Sequence, residues 1–270
     1  MSNDPTLSYT VPHPSLITSP SDTDPYAPPP TLKSSLPSTT YTSETVILHP
    51  RKFDLYNDTE LYLHEDRVIS RLLYYEPRLH VTRLKHVYLG DFVGNPGTLV
   101  VSVAGATAPV AGQDDKFRSA YSVFYGPKSR YNTTGKVKET GGKIEMQKIA
   151  ELAAACEALE FVEMEMRMVV RGFEGVDGGE GEAKGLELVV MKTASTNLWN
   201  GIVEHIYKWK RNDFHNTRGG KVAGQALWLK LDELMLRFES GRTRVAWWLV
   251  EKEENEAEEG AWLRATDALL

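Results

Sequence analysis

The chain has 270 residues, 41% hydrophobic and 25% charged, with six Trp, which suffices for one packed domain plus extensions. Its net charge of -6 excludes a bulk field that draws nucleic acid, so any such contact must come from a local basic patch. A single cysteine, Cys156, excludes an internal disulfide and a thiolate zinc site.

Residues 1–50 hold 10 of the 14 prolines, 18 Ser or Thr and one basic residue, Lys33. Such a segment buries too little apolar surface to offset its ordering entropy, so a disordered tail is expected, with a local polyproline II stretch at Pro28–Pro30. The chain shows no basic start followed by an apolar stretch and no run of about 18 apolar residues. The expected setting is cytoplasmic or nuclear, with no membrane contact.

Residues 51–97 read as a lead-in segment. Apolar spacing over Tyr56–Tyr75 suits a helix, and Pro77 and Gly94-Asn95-Pro96-Gly97 break the chain after it. The pattern sharpens from Leu99. Leu99–Val103, Ala120–Tyr125 and Tyr131–Val137 read as three strands, and Ile144–Leu159 as a helix. Ile149, Leu152, Ala153, Cys156 and Leu159 recur at helical spacing and should form one buried stripe. A Gly- and Glu-rich loop at 172–185 precedes a fourth strand, Leu186–Met191. Helices over Leu198–Lys210 and Gln225–Phe238 flank a polar loop containing Gly219-Gly220. Arg244–Val250 reads as a fifth strand, followed by a charged helix. Three strands, helix, strand, two helices, strand, helix implies a mixed sheet covered by helices.

Four strings in this order resemble the ribonuclease H family. The longest, WNGIVEHIYKWKRNDFHNTRGGKVAGQALWLKLDELM from Trp199 to Met235, is similar to the family's helix, basic protrusion and following helix. It carries Asn200-Gly201-Ile202, Trp209-Lys210, Leu227-Trp228 and Leu231-Asp232. IAELAAACEAL resembles the family's Arg-Ala-Glu-Leu helix start, LVVSVAGAT its first strand and Asp-Gly-Ala turn, and KTAS its Thr-Asp-Ser. The resemblance covers about residues 98–265. It implies an α/β fold: a five-stranded mixed sheet flanked by helices at 98–270, behind the lead-in 51–97 and the tail 1–50.

The resemblance also implies a chemistry. Family members cut the RNA strand of an RNA–DNA hybrid with two Mg²⁺, which clustered carboxylates must bridge and surround. Carried over by position, the first acid falls on Ala104, the second on Glu151, the third on Ala194 and the fourth near Glu259. Alanine has no donor atom, so two of the four ligands are absent. Asp114, Asp115 and Glu145 are the nearby acids that could substitute, though metal geometry tolerates little displacement. Positions that hold the hybrid differ as well: Gln-Thr-x-Asn becomes Glu145-Met146-Gln147-Lys148, and the Asn and Asp before Leu-Trp become Gly224 and Ala226.

Lys208, Lys210, Arg211, Arg218 and Lys221 lie in or beside the loop matching the basic protrusion, with Trp209 among them. Cations interleaved with aromatics suit phosphate neutralisation and base contact. The competing reading is a solvated helix end with Trp209 and Trp228 as core. For Glu151 the competing reading is a glutamate favoured by the helix dipole. The acidic run Glu251–Glu259 reads as a solvated face that repels phosphate. The expectation is a non-catalytic ribonuclease H-like module without cofactor, contacting nucleic acid through the 208–221 loop. Two alternatives stay open: an active Mg²⁺-dependent nuclease with relocated ligands, and a protein-interaction scaffold.

Overall fold

The computed structural model describes residues 51–55, 58–59, 72–110, 112–138, 142–166, 185–216 and 219–266. They lie in one compact unit, Ile47–Leu270. The tail 1–50 and most of the helix expected over Tyr56–Tyr75 fall outside the described residues.

The fold is organised around one long strand, β4 (Thr98–Val110), buried along nearly its whole length. Strands point alternate side chains to opposite faces. Leu99, Val101 and Val103 therefore enter the main core, while Val100 and then Ala104, Ala106 and Ala108 face the other way. Before β4 come β1 (Leu73–Glu76), β2 (Val81–Tyr88) and β3 (Asp91–Gly94); after it come β5 (Gln113–Phe124) and β6 (Thr133–Val137). Helix α1 (Lys143–Phe161) follows and runs on into a π-helical turn at Val162–Met166. Next are β7 (Leu188–Thr193), α2 (Thr196–Asn200), a π turn at Gly201–His205 and α3 (Ile206–Arg211). Helix α4 (Gln225–Ser240), β8 (Arg244–Leu249) and α5 (Ala257–Ala265) complete the order.

The sheet has eight strands, not five. All five expected strands are present. Antiparallel β5 and β6 extend from one edge of β4, and parallel β7 and β8 extend from the other. The additional three come from the lead-in: β1 and β3 pair with β2, and β2 meets β4 at Thr82–Val100. Leu73–Glu76 is thus strand where a helix was expected to end. Tyr74 and Tyr75 suit a pleated surface, and Pro77 turns the chain into β2.

Helix α1 also departs from its expected single stripe. Ala154, Ala155 and Ala158 are buried alongside Ile149, Leu152, Cys156 and Leu159, while Ala153 is only half-buried. The helix lies between the sheet and α4, so two faces are covered. Ion pairs Lys230–Glu160 (2.8 Å) and Arg237–Glu163 (3.0 Å) close its α4 side. The expected helix Leu198–Lys210 is interrupted by the π turn that begins at Gly201. A Cβ there would lie 2.1 Å from the Trp228 ring, so only glycine lets α4 approach this closely.

Candidate functional site

Glu151 lies on α1 and is buried. The helix reaches β4 at a glycine: a Cβ on Gly105 would sit 2.4 Å from the Glu151 backbone nitrogen. This contact sets the Glu151 carboxylate beside the middle of β4 and the end of β7. Ser195 Oγ, just past β7, donates to its Oε2 at 2.5 Å. Gln147 Nε2, one turn earlier on α1, donates to its Oε1 at 3.0 Å and also to the Gly105 carbonyl. Burial raises the Glu151 pKa, and the Ser195 and Gln147 hydrogen bonds pull it back only in part.

Ala104 and Ala194 take different surroundings. Ala104 is buried among Ala106, Ala108 and Ala120 of the sheet and Ala257, Ala261 and Ala265 of α5. These small side chains let α5 lie flat on β4 and β5. Ala194 is half-buried between Thr193 and Ser195. Glu259 is exposed on α5; Glu258, one residue earlier, is the half-buried acid. Asn255 Nδ2 donates to Glu258 at 3.3 Å and to the Val103 carbonyl at 3.0 Å, tying that carboxyl to the residue before Ala104. Burial raises the Glu258 pKa; Lys252 opposes the shift and Glu151 adds to it.

The acidic run is therefore not uniformly solvated. Besides Glu258, Glu256 turns to the sheet and holds Lys192 of β7 at 2.7 Å, while Ser102 Oγ donates to it at 2.7 Å. Lys192 is buried and lies beside Ser102 in the β4–β7 register. The hydrogen bonds of Gln147, Ser195 and Asn255 and the Lys192–Glu256 pair are not foreseen from the sequence. Their one legible signal was Asn255-Glu256 inside an otherwise featureless glutamate run.

Of the substitute acids, Glu145 does not join Glu151. Glu145 is exposed and lines a groove of about 430 Å³ with Lys143, Lys148 and Ala223. Six residues before Glu151, it lies about 9 Å along the helix axis. The side chains of Asp114 and Asp115 fall outside the described residues. Among the described residues, no group of three His, Cys, Asp or Glu could hold a metal ion. A pair of divalent cations does not fit the described donors: Ala104 and Ala194, which the resemblance sets at ligand positions, carry no donor atom, and both Glu151 oxygens already accept hydrogen bonds.

The basic loop divides likewise. Lys208, Lys210, Arg211 and Lys221 are all exposed, but the Lys210 ammonium is paired, 2.6 Å from buried Asp232. Trp209 is half-buried, edge-on to Trp228 with centroids 5.1 Å apart, and also meets Phe214 and His205. Trp228 is core. Asp213 and Phe214 both adopt positive φ, turning the chain sharply into the His215–Lys221 bridge. Arg218 falls outside the described residues.

Taken alone, the five core strands lie in the order third, second, first, fourth, fifth. The first three are antiparallel and the last two are reached by helical crossovers. The fold is ribonuclease H-like. No family model and no curated protein matches the chain. Among solved structures, it is similar to the ribonuclease H domain of prototype foamy virus (13% identity, 63% of this chain and 90% of that one, TM-score 0.38). It is also similar to LC11-RNase H1 in complex with an RNA/DNA hybrid (15% identity, 63% and 97%, TM-score 0.36). A third is the N-terminal ribonuclease H domain of a Mycobacterium tuberculosis protein (11% identity, 63% and 94%, TM-score 0.35). The ribonuclease H-like fold itself rests on strand order and crossovers. No helix among the described residues is long and apolar enough to cross a membrane.

Proposed function

We propose that this chain is a ribonuclease H-like module that does not cut nucleic acid and contacts its backbone through the exposed cations of the basic protrusion. One observation carries the first half: Ala104 and Ala194 stand where the resemblance places acids, and Ala104 is packed into an alanine cluster with α5. The oxygens of Glu151 are held by Ser195 and Gln147, so this carboxylate acts as a structural brace. The exposed cations Lys208, Arg211 and Lys221 support the second half. Lys210 leaves the contact set because Asp232 holds it, and Trp209 leaves it because its ring packs inward.

Incubation of the purified chain with a labelled RNA–DNA hybrid in Mg²⁺ or Mn²⁺ tests cleavage. No product is expected; robust cutting abolished by Glu151→Gln overturns the reading. Binding is tested by gel shift against hybrid, duplex DNA and duplex RNA across a salt series. Three phosphate contacts give a log–log salt slope of roughly -2 to -3. Reversing Lys208, Arg211 and Lys221 to Glu is expected to abolish the shift. If the unaltered chain binds none of the three, the nucleic-acid half fails and a protein-interaction scaffold replaces it.

A further inference from the structure

Arg51, Lys52 and Phe53 lie along the outer edge of β8, whose other edge is taken by β7. The Trp247 backbone N–H donates to the Arg51 carbonyl at 2.7 Å, and the Phe53 N–H donates to the Trp247 carbonyl at 3.0 Å. Phe53 is buried against Trp248 with ring centroids 5.0 Å apart. Arg244 of β8 grips this segment by pairing with Asp58 and donating to the Lys52 carbonyl at 2.8 Å. A sheet edge is thus covered by a short strap of the chain's own lead-in.

The strap also reaches the basic protrusion. The Arg51 side chain is 2% exposed, and its guanidinium lies 2.8 Å from Asp232 and 3.5 Å from Glu239. It sits 5.1 Å from the centre of the Tyr207 ring, on α3. The second Asp232 oxygen holds Lys210, also on α3, at 2.6 Å. One buried carboxylate therefore joins the strap to the helix that leads into the protrusion. An edge cap alone requires backbone pairing and Phe53; it does not require an arginine buried in an acidic socket at the base of another element.

We propose that the strap is a latch that sets the charge and order of the basic protrusion. With the strap seated, Arg51 adds a cation beside α3, Lys52 lies over the Trp199 ring of α2 at 5.9 Å, and Asp232 is shared between Arg51 and Lys210. With it released, both cations leave, Asp232 and Glu239 stay, and Lys210 is their one remaining counter-ion within this cluster. Tyr207 loses its guanidinium, so α3 loses a packing partner as well as charge. The protrusion then becomes less ordered and less attractive to phosphate. This inference rests on the reading that the protrusion contacts nucleic acid, but its ordering half is independent of that reading.

The test uses the full chain with Arg51→Met, and separately Phe53→Ala, which loosens the strap without leaving Asp232 short of a partner. Amide hydrogen exchange is read at 206–216 and at Trp247, and duplex affinity across a salt series. Both variants should speed exchange at least tenfold at Trp247 and across 206–216 while β4 keeps its protection. Affinity should fall at least fivefold, and adding Asp232→Asn to Arg51→Met should recover part of it. Faster exchange at Trp247 with 206–216 unchanged overturns the latch and leaves an edge cap. If the unaltered chain binds no duplex, the function above fails while exchange still decides the coupling. If it binds and neither variant changes affinity, the latch fails alone.

Discussion

Ser195 Oγ lies 2.5 Å from the Glu151 carboxylate and also accepts from the Leu198 backbone N–H at 3.1 Å. One hydroxyl thus caps α2 and fixes the carboxylate on α1, joining the two helices at the end of β7. Its proton points to Glu151 and one of its two lone pairs to the Leu198 N–H.

Ser195→Ala should therefore cost more than a cap alone. Losing the N-cap costs about 1 kcal/mol, and leaving a buried carboxylate short of a donor adds about 1–3 kcal/mol. Urea unfolding should show a loss of roughly 2–4 kcal/mol. A loss under 1 kcal/mol would mean that Glu151 does not depend on this hydroxyl.

Burial raises the Glu151 pKa above the usual glutamate value. A raised carboxylate stabilises the fold fully below its unfolded pKa, and that contribution is lost as pH rises through the folded value. Glu151→Gln removes the titration. Its melting temperature minus that of the wild type should rise from pH 4 towards neutrality and then level off. Parallel curves would show that this carboxyl ionises in the fold as it does in water.

Gly105 is the point where α1 meets β4. A methyl group there meets backbone atoms, the Glu151 nitrogen at 2.4 Å and the Ala150 carbonyl carbon at 2.7 Å. Neither can rotate away, so the helix must shift. Gly105→Ala should destabilise by about 3 kcal/mol, the upper end for overpacking. It should also weaken near-ultraviolet circular dichroism from the aromatic core. Unchanged stability would mean that α1 is not seated on this strand.

The Lys192–Glu256 pair offers a contrast. Glu256→Ala leaves a buried ammonium unpaired and should cost roughly 2–3 kcal/mol, below the ~3–5 kcal/mol of a fully buried pair because Glu256 reaches water. Lys192→Met fills the same space without a charge and should cost under about 1 kcal/mol. Chemical denaturation of both variants checks this; equal losses would mean that the pair is held by charge attraction rather than by the need to neutralise a buried lysine.

Much of the fold was legible because its elements are long and periodic. Leu99–Val103, Leu186–Met191 and Arg244–Val250 are apolar runs that could only be buried strands or helix cores, and each is a strand. The lead-in strands were not legible. β3 is four residues long, and β2 mixes Arg83, Lys85 and His86 with its apolar positions, so their pairing is decided by partners distant in sequence. The buried stripe on α1 was read too narrowly because periodicity cannot show that a second layer, α4, covers the opposite face. Local strings alone single out Glu151, Ala104 and Ala194, whereas the half-burial of Glu258 depends on the direction in which α5 presents its turn. The Lys210–Asp232 pair and the packing of Trp209 on Trp228 are not legible locally, because neither Asp232 nor Trp228 is near them in sequence.

Residue chemistry alone determined that Ala104 and Ala194 bring no donor atoms, that Cys156 has no partner cysteine, and that a mixed sheet must be covered by helices. Those conclusions need only side-chain composition and period. Tertiary structure decided which charges are spent and which are free. Glu151 is held by Ser195 from 44 residues away, Lys192 by Glu256 from 64 away, and Arg51 by Asp232 from 181 away. Burial makes an unpaired charge costly, so these long-range pairs are set by where the chain brings acids and bases together, and no local pattern records that.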